Sequence, residues 1–200
     1  MNIFQEELLE PIARAFRFHH GFSEIDKKEK ITLVDLGCGP KIRFYSYAKE
    51  RKLKFERYIG IDPLISKAVI DKNSKANDIL LIKNPLKNRL PIDTNSVDFV
   101  TAFAFLEHID HPETILLDSI RILKKGGKAI YTTPTPKAKN ILEFLSFKLG
   151  LISEREIKEH KNYFDKENLD NILKRKEIKV SNIKHSYFEM GLNNLLVITK

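Results

Sequence analysis

Apolar residues fall into short continuous runs, and between the runs they recur three and four positions apart. Ile31-Thr32-Leu33-Val34-Asp35-Leu36 is the first run, followed by Phe55 to Ile61, Ile79 to Lys83, Ser96 to Ala102 and Ala129 to Thr133. Short runs rich in β-branched and aromatic residues, closed by Gly, Pro or polar clusters, predict buried strands. Ile42 to Leu53, Leu64 to Asn73 and Pro112 to Leu123 have the helical period instead. So does the opening from Ile3 to Phe18, where Pro11 is expected to kink or divide the helix. Basic residues and glycines at Lys124-Lys125-Gly126-Gly127 are expected to stop the helix that begins at Pro112.

Strands alternating with helices predict an α/β fold, a doubly wound and mostly parallel sheet with helices on both faces. After Thr133 the rhythm changes. Two helical segments follow in succession, Ile141 to Leu149 and Lys166 to Leu173, and two strand-like runs close the chain, Ile178 to Phe188 and Leu195 to Thr199. The short link Gly191-Leu192-Asn193-Asn194 permits only an antiparallel hairpin, so the sheet is expected to end in a reversed strand. No repeat or linker-like stretch interrupts the chain. Residues 1–200 are expected to form one domain, with an N-terminal helical segment over 1–22 and a lid-like insertion over 135–174.

Composition narrows the class. With 42% apolar and 31% charged residues, 8 Gly and 8 Pro, the chain is neither collagen-like nor disordered. A single cysteine, Cys38, excludes a disulfide framework and a cysteine-based zinc site. No apolar run reaches the roughly 18–20 residues of a membrane span, and acids stand at the N-terminus where a secretory signal would be basic and then apolar. The expected compartment is the cytoplasm. The net charge of +8 points toward nucleic acid or an anionic partner, but the lysines are spread through the chain among Glu and Asp and describe a solvated surface better than a patch. Oligomeric state is not legible.

Ligands of open parallel sheets bind beyond the carboxyl ends of the strands, where strand order reverses. The turn Asp35-Leu36-Gly37-Cys38-Gly39-Pro40 closes the first strand and belongs there. A dinucleotide fingerprint needs Gly at position 42, which is Ile42, and a P-loop needs Gly-Lys-Ser/Thr, which is absent. Pro40 removes an N–H that a phosphate would use. Asp35 at the mouth of the turn repels phosphate and is expected to attract an ammonium group; the alternative is that it caps its own turn. Asp62 ends the second strand about 25 residues past Gly37, near the roughly 20-residue spacing at which an acid accepts both hydroxyls of a ribose. The alternative, compatible with the first, is that it caps a helix before Pro63. An ammonium, a ribose and no phosphate describe S-adenosylmethionine.

The chain resembles the class I S-adenosylmethionine-dependent methyltransferases, particularly small single-domain enzymes related to the ubiquinone-biosynthesis methyltransferases. The resemblance runs from about Lys30 to Pro134. It is carried by Val34 to Gly39, Tyr58-Ile59-Gly60-Ile61-Asp62, Leu90-Pro91 with Ser96 to Val100, Leu106-Glu107-His108-Ile109, and Leu123 to Gly127. It implies a seven-stranded sheet with its last strand antiparallel. It also implies that Gly37 and Gly39, with Cys38 between them, line the methionine moiety, that Asp62 followed by Pro63 holds the ribose, and that Phe103 or its neighbours flank the site. Two positions depart from the family. Lys41 stands where a third glycine is common, and Lys83-Asn84-Pro85-Leu86 lacks the acid that accepts the adenine amino group, so the Asn84 carbonyl is the expected substitute.

Methyl transfer from a sulfonium needs alignment, exclusion of water and, for a weakly acidic acceptor, a base. Candidate bases are His108, after the fourth strand, and His160 with Tyr163 in the insertion. The apolar stripe Leu142, Phe144, Leu145, Phe147, Leu149 is expected to pack beneath the lid or to meet a hydrophobic substrate or membrane surface. The six histidines lack ligand spacing, so no metal site is expected. The favoured function is a methyltransferase acting on a small molecule. An RNA methyltransferase and a non-catalytic S-adenosylmethionine-binding protein stay open as alternatives.

Overall fold

The computed structural model describes residues 9–26, 30–86, 89–148, 157–175 and 180–200. Five strands alternate with helices: α1 (Glu10–Ser23), β1 (Ile31–Leu36), α2 (Arg43–Glu50), β2 (Phe55–Ile61), α3 (Lys67–Asn73), β3 (Ile79–Ile82), β4 (Val97–Phe103), α4 (Pro112–Ile122) and β5 (Leu123–Pro134). Helices α5 (Pro136–Phe147) and α6 (Lys166–Arg175) follow, then β6 (Asn182–Phe188) and β7 (Asn193–Thr199). The strands form one seven-stranded sheet in the order β3-β2-β1-β4-β5-β7-β6. β1 to β5 are parallel, and β7 runs antiparallel to both β5 and β6. The reversed strand expected at the end of the chain is therefore β7, and it lies inside the sheet rather than at its edge.

Local chemistry explains where elements start and where expectation and structure differ. Pro11 does not kink α1. It sits in the first turn, where its missing N–H is one of the unpaired donors in any case. Ser66 caps α3, its Oγ accepting from the Val69 N–H at 3.3 Å, so this helix begins later than Leu64. Lys124 to Gly127 do not form a loop between helix and strand. Leu123 already pairs with Val97, and the register then jumps so that Phe99 pairs with Lys128. The glycines make that bulge feasible: Gly126 has φ +78, and a Cβ on Gly127 would stand 2.9 Å from the Asp98 and Lys124 carbonyl oxygens.

Alternation along each strand divides the core in two. Val34, Leu36, Ile59, Ile61, Val100 and Ala102 form one buried cluster with Ile115, Leu116 and Ile120 of α4 and Leu169 and Leu173 of α6. Ile31, Leu33, Tyr58, Phe99 and Phe103 form the other with Phe18 of α1 and Phe44 and Ala48 of α2. On α5 the apolar stripe is only partly buried, Leu142 and Leu145 being half-buried. Phe144 is 55% exposed and Ile141 and Phe147 are also exposed, while the buried positions are Ala138 and Ser146; Leu149 lies outside the described residues. No helix among the described residues is long and apolar enough to cross a membrane.

At Gly21 the helix α1 packs tightly against Phe103 of β4. Helix propensity alone favours Gly21→Ala by about 1 kcal/mol, but the added Cβ would lie 2.1 Å from Phe103 Cε1. Overpacking outweighs propensity, so the variant is expected to lose about 1–3 kcal/mol in thermal or chemical denaturation. A gain in stability would contradict this packing.

Candidate active site

The strand order reverses between β1 and β4, and on either side of that point backbone hydrogen bonds join the carboxyl ends of neighbouring parallel strands. Gly37 N–H donates to the Ile61 carbonyl at 2.9 Å, Asp62 N–H to the Ile82 carbonyl at 3.2 Å, and Ala104 N–H to the Thr132 carbonyl at 3.0 Å. Gly37 and Gly39 have φ of +70 and +71, which non-glycine residues rarely adopt. Around Gly39 nothing lies within 4 Å of the place a Cβ would take, so this side of the turn is open. Gly37 is covered instead: a Cβ there would meet the Phe105 ring at 2.5 Å. Lys41 does not take over the third glycine's conformation; Ile42, just before α2, is left-handed with φ 43.

Asp62 joins the two turns. One carboxylate oxygen accepts from Gly39 N–H at 3.0 Å and the other from Leu64 N–H at 2.6 Å. A carboxylate offers about four acceptor positions, so each oxygen keeps one for a ligand hydroxyl. Asp62 does not cap α3, a role taken by Ser66. Pro63 and Leu64 follow on the surface, Leu64 being 65% exposed, and form an apolar lip beside the carboxylate.

Asp35 departs from expectation. Alternation places it on the same sheet face as Leu33, and its carboxylate turns inward, accepting from Tyr58 Oη at 2.5 Å and Thr101 Oγ1 at 2.7 Å. It is buried and has no surface toward a ligand ammonium. Burial pushes its pKa up to about 7, against the two hydrogen bonds, and Asp62 adds to the rise. Cys38 also turns inward: its Sγ lies 2.9 Å from where a Cβ on Gly60 would be, and burial pushes the thiol pKa up. The thiol also donates to the Gly39 carbonyl of the turn at 3.8 Å. Phe103 closes the α1/α2 core with Phe18 and Phe44, while its neighbour Phe105, also buried, lies over Gly37 of the turn. The Asn84 side-chain carbonyl accepts from Leu86 N–H at 2.8 Å and keeps one acceptor position for an adenine amino group.

The second group of candidates does assemble. A 3-10 turn at Leu106–His108 follows β4, and the stretch before α6 is bound to it: Lys161 and Asn162 N–H both donate to the Glu107 carbonyl, at 2.8 and 3.2 Å. This brings the His108 and His160 ring centroids to 4.9 Å and Tyr163 Oη to 3.2 Å from His160 Nδ1. Burial, then His108 and Arg17, holds His160 down to about 4, so at neutral pH it is an uncharged, weakly basic imidazole. Burial and the carboxylates of Glu143 and Glu107 raise Tyr163. Glu107 itself is 1% exposed and was not among the predicted site residues. Its signals in the chain are its place in the motif Leu106-Glu107-His108-Ile109 and its neighbour His108. The absence of ligand spacing gave an expectation of no metal site, yet a Glu107 carboxylate oxygen and one nitrogen each of His108 and His160 lie within 4.8 Å of one another. Folding supplies a proximity that the 51 residues between His108 and His160 conceal.

Comparison with known proteins gives consistent results. A family profile described as a methyltransferase domain matches residues 4–180. The mitochondrial ubiquinone biosynthesis O-methyltransferase of Candida albicans is 33% identical over 116 residues, covering 55% of this chain and 34% of that protein. The ubiquinone/menaquinone biosynthesis C-methyltransferase of Desulfotalea psychrophila is 36% identical over 55 residues, covering 28% of this chain and 22% of that protein. The chain thus spans about a third or less of these two relatives' lengths. Among solved structures, an S-adenosylmethionine-dependent methyltransferase from Archaeoglobus fulgidus superposes with a TM-score of 0.65 at 15% identity, over 96% of this chain and 94% of that one.

The buried carboxyl of Asp35 makes a pH prediction. Its pKa is raised above the model-peptide value of 3.8, so between about pH 4 and 7 the native state holds more protons than the unfolded state and this group's contribution to stability falls as pH rises. The stability of Asp35→Asn relative to the parent is expected to grow from pH 4 to pH 8 in urea titrations. A constant difference would place the carboxyl in a different environment.

Proposed function

Since the chain belongs to the methyltransferase-domain family, we propose that it transfers a methyl group from S-adenosylmethionine to a small-molecule acceptor. When bound, that cofactor supplies a methyl group already activated on a sulfonium. The observation that carries the assignment of the site is the Asp62 carboxylate, tied to the open Gly39 turn at the switch point of the sheet. Asp62 accepts the ribose hydroxyls on its two remaining positions, and the left-handed glycines let backbone approach the methionine portion. Pro63 and Leu64 offer apolar surface to the adenine, and the Asn84 carbonyl keeps one acceptor position for its amino group. Asp35 acts at one remove, holding the ends of β1, β2 and β4 together through Tyr58 and Thr101.

The acceptor enters between Phe105 and the segment carrying His160 and Tyr163, the lid-like part of the chain. Those groups align it and exclude water. With its pKa near 4, His160 is a poor proton acceptor at neutral pH and orients the acceptor instead; His108 is the imidazole left for a base. A small molecule rather than RNA is supported by the acceptor wall of aromatic and histidine side chains and by the printed activities of the ubiquinone-pathway relatives. A cytoplasmic setting belongs to this reading, supported by a chain whose one thiol is buried and unpaired.

Calorimetry with S-adenosylmethionine tests the site. Replacing a charged acceptor of two hydroxyls removes about 1.5–3 kcal/mol per hydrogen bond, so Asp62→Ala is expected to weaken binding at least about tenfold. Asp62→Asn, which keeps one carbonyl acceptor, should fall between Ala and the parent. Equal affinity in all three proteins would remove Asp62 from the site.

A further inference from the structure

We propose that the groove between α1 and α2, beside the glycine turn, is a binding site for a small organic anion, a carboxylate or phosphate group carried on an apolar or aromatic body. The cavity measures about 390 Å³, within the size range of small-molecule sites. Its walls are two helix faces. Positions 11, 14, 15 and 18 of α1 and positions 43, 46, 47 and 50 of α2 line it, each set with the spacing of one helical face. Lys41, two residues past the open Gly39, completes the lining.

Charge gives the class of ligand. Arg14, Lys41 and Arg43 contribute three cations, and Glu50 is the single acid among the described lining residues. Glu50 lies about 10 Å of helix beyond Arg43, and 3.9 Å from Arg51. Cations sharing one cavity repel one another, more strongly where water is reduced. The Arg14 side chain is only 17% exposed, and burial lowers the pKa of Arg43. An anion bound among them offsets both costs. Lys41 and Arg43 flank the start of α2, the end of a helix at which cations are disfavoured, and the first turn carries no acid. The helix itself therefore does not account for them. Lys41 also stands where a third glycine is common in the related methyltransferases, so this charge belongs to the chain rather than to the fold.

Contacts within the chain leave capacity for a ligand. Glu10 lies 3.6 Å from the Arg14 guanidinium and 2.6 Å from that of Arg17, its nearer partner. A guanidinium has five N–H donors and an ammonium three, so a carboxylate or phosphate can share these groups with partners in the chain.

The rest of the lining suits an apolar body. Phe18 is buried and meets Tyr47 edge to face, with ring centroids 5.3 Å apart. The Arg51 guanidinium lies 3.5 Å over the Tyr47 ring, and the Phe44 ring is stacked at 6.2 Å. Tyr47 is thereby held as a fixed aromatic wall. A polynucleotide is a poorer match, because its backbone is recognised by a row of cations. Further along α2, Lys49 is bound to Asp78 at 3.0 Å and Arg51 is stacked on Tyr47. Binding in this groove does not depend on the methyl-transfer reading.

Calorimetry on the full-length protein with phenyl phosphate, benzoate and inorganic phosphate, without cofactor, tests the site. Phenyl phosphate or benzoate is expected to saturate one site, the tighter of the two identifying the anionic group. Inorganic phosphate, which lacks the apolar body, should bind at least about tenfold more weakly than that ligand. Arg14→Gln, Lys41→Gln and Arg43→Gln should each weaken binding at least about tenfold, with circular dichroism confirming that each folds. Lys139→Gln, an equal change of charge at an exposed position of α5, should bind as the parent does. No saturable binding by the parent, equal affinity in Lys41→Gln and the parent, or inorganic phosphate binding as tightly as the aryl anions would overturn the proposal. So would tighter binding of a single-stranded RNA oligonucleotide, lost in the same variants, which would make the groove a polyanion surface. S-adenosylmethionine calorimetry on the same proteins separates the two readings: cofactor binding without aryl-anion binding removes the groove site alone, and the reverse removes the methyl-donor reading alone.

Discussion

A carboxylate at the end of one strand accepts a backbone N–H from the turn that ends its neighbour. Through this contact between Asp62 and Gly39, at 3.0 Å, the tips of β1 and β2 become one structure. Parallel strands share hydrogen bonds along their length but diverge where they end, and unpaired N–H groups at those ends need acceptors. Asp62 provides one to Gly39 and another to Leu64. It does so with half of its acceptor capacity. The same group can therefore hold the backbone and still receive a ligand, and the glycines beside it keep the approach open.

Beneath that contact lies a buried layer that makes it rigid. Asp35 binds hydroxyls from β2 and β4, so three neighbouring strands share one carboxylate. A charge in that position is costly, and the shift of its pKa toward neutrality expresses the cost. Across β4 the chain leaves the sheet through Phe105 and the 3-10 turn, which places Glu107 and His108 beyond the glycine turn. The segment from Glu159 to Phe164 is then fastened to that turn and to the Pro134 carbonyl at the end of β5. Two halves of a site, one for a nucleoside-bearing donor and one for an acceptor, thus meet at the place where strand order reverses.

Much of this was legible in the chain. Five apolar runs separated by helical periods predicted the parallel sheet, and the Gly191 to Asn194 link predicted the reversed β7. The glycine turn and Asp62 were identifiable from their spacing. Side-chain direction was harder to read. Asp35 was assigned to the ligand because it precedes the turn, but strand alternation puts it on the buried face beside Tyr58, a partner 23 residues away. The resemblance points to Phe103 or its neighbours, and the neighbour that meets the glycine turn, Phe105, follows a bend at Ala104, where φ is 49. Glu107 was visible as part of a motif but not as a site residue, because what gives it meaning is His160, which only the fold brings near. The apolar stripe of α5 showed the opposite failure: helical periodicity suggested packing, and Phe144 remains exposed.

The central claim is that the joined ends of β1 and β2 receive a methyl donor. Backbone amide NMR, following the protein as S-adenosylhomocysteine is added, tests it most directly. The account predicts that the amides of Gly37 to Gly39 and of Asp62 to Leu64 shift first and furthest, with smaller changes near Phe105 and none along β6. Shifts confined to other surfaces, or a spectrum that does not change at saturating ligand, would contradict it.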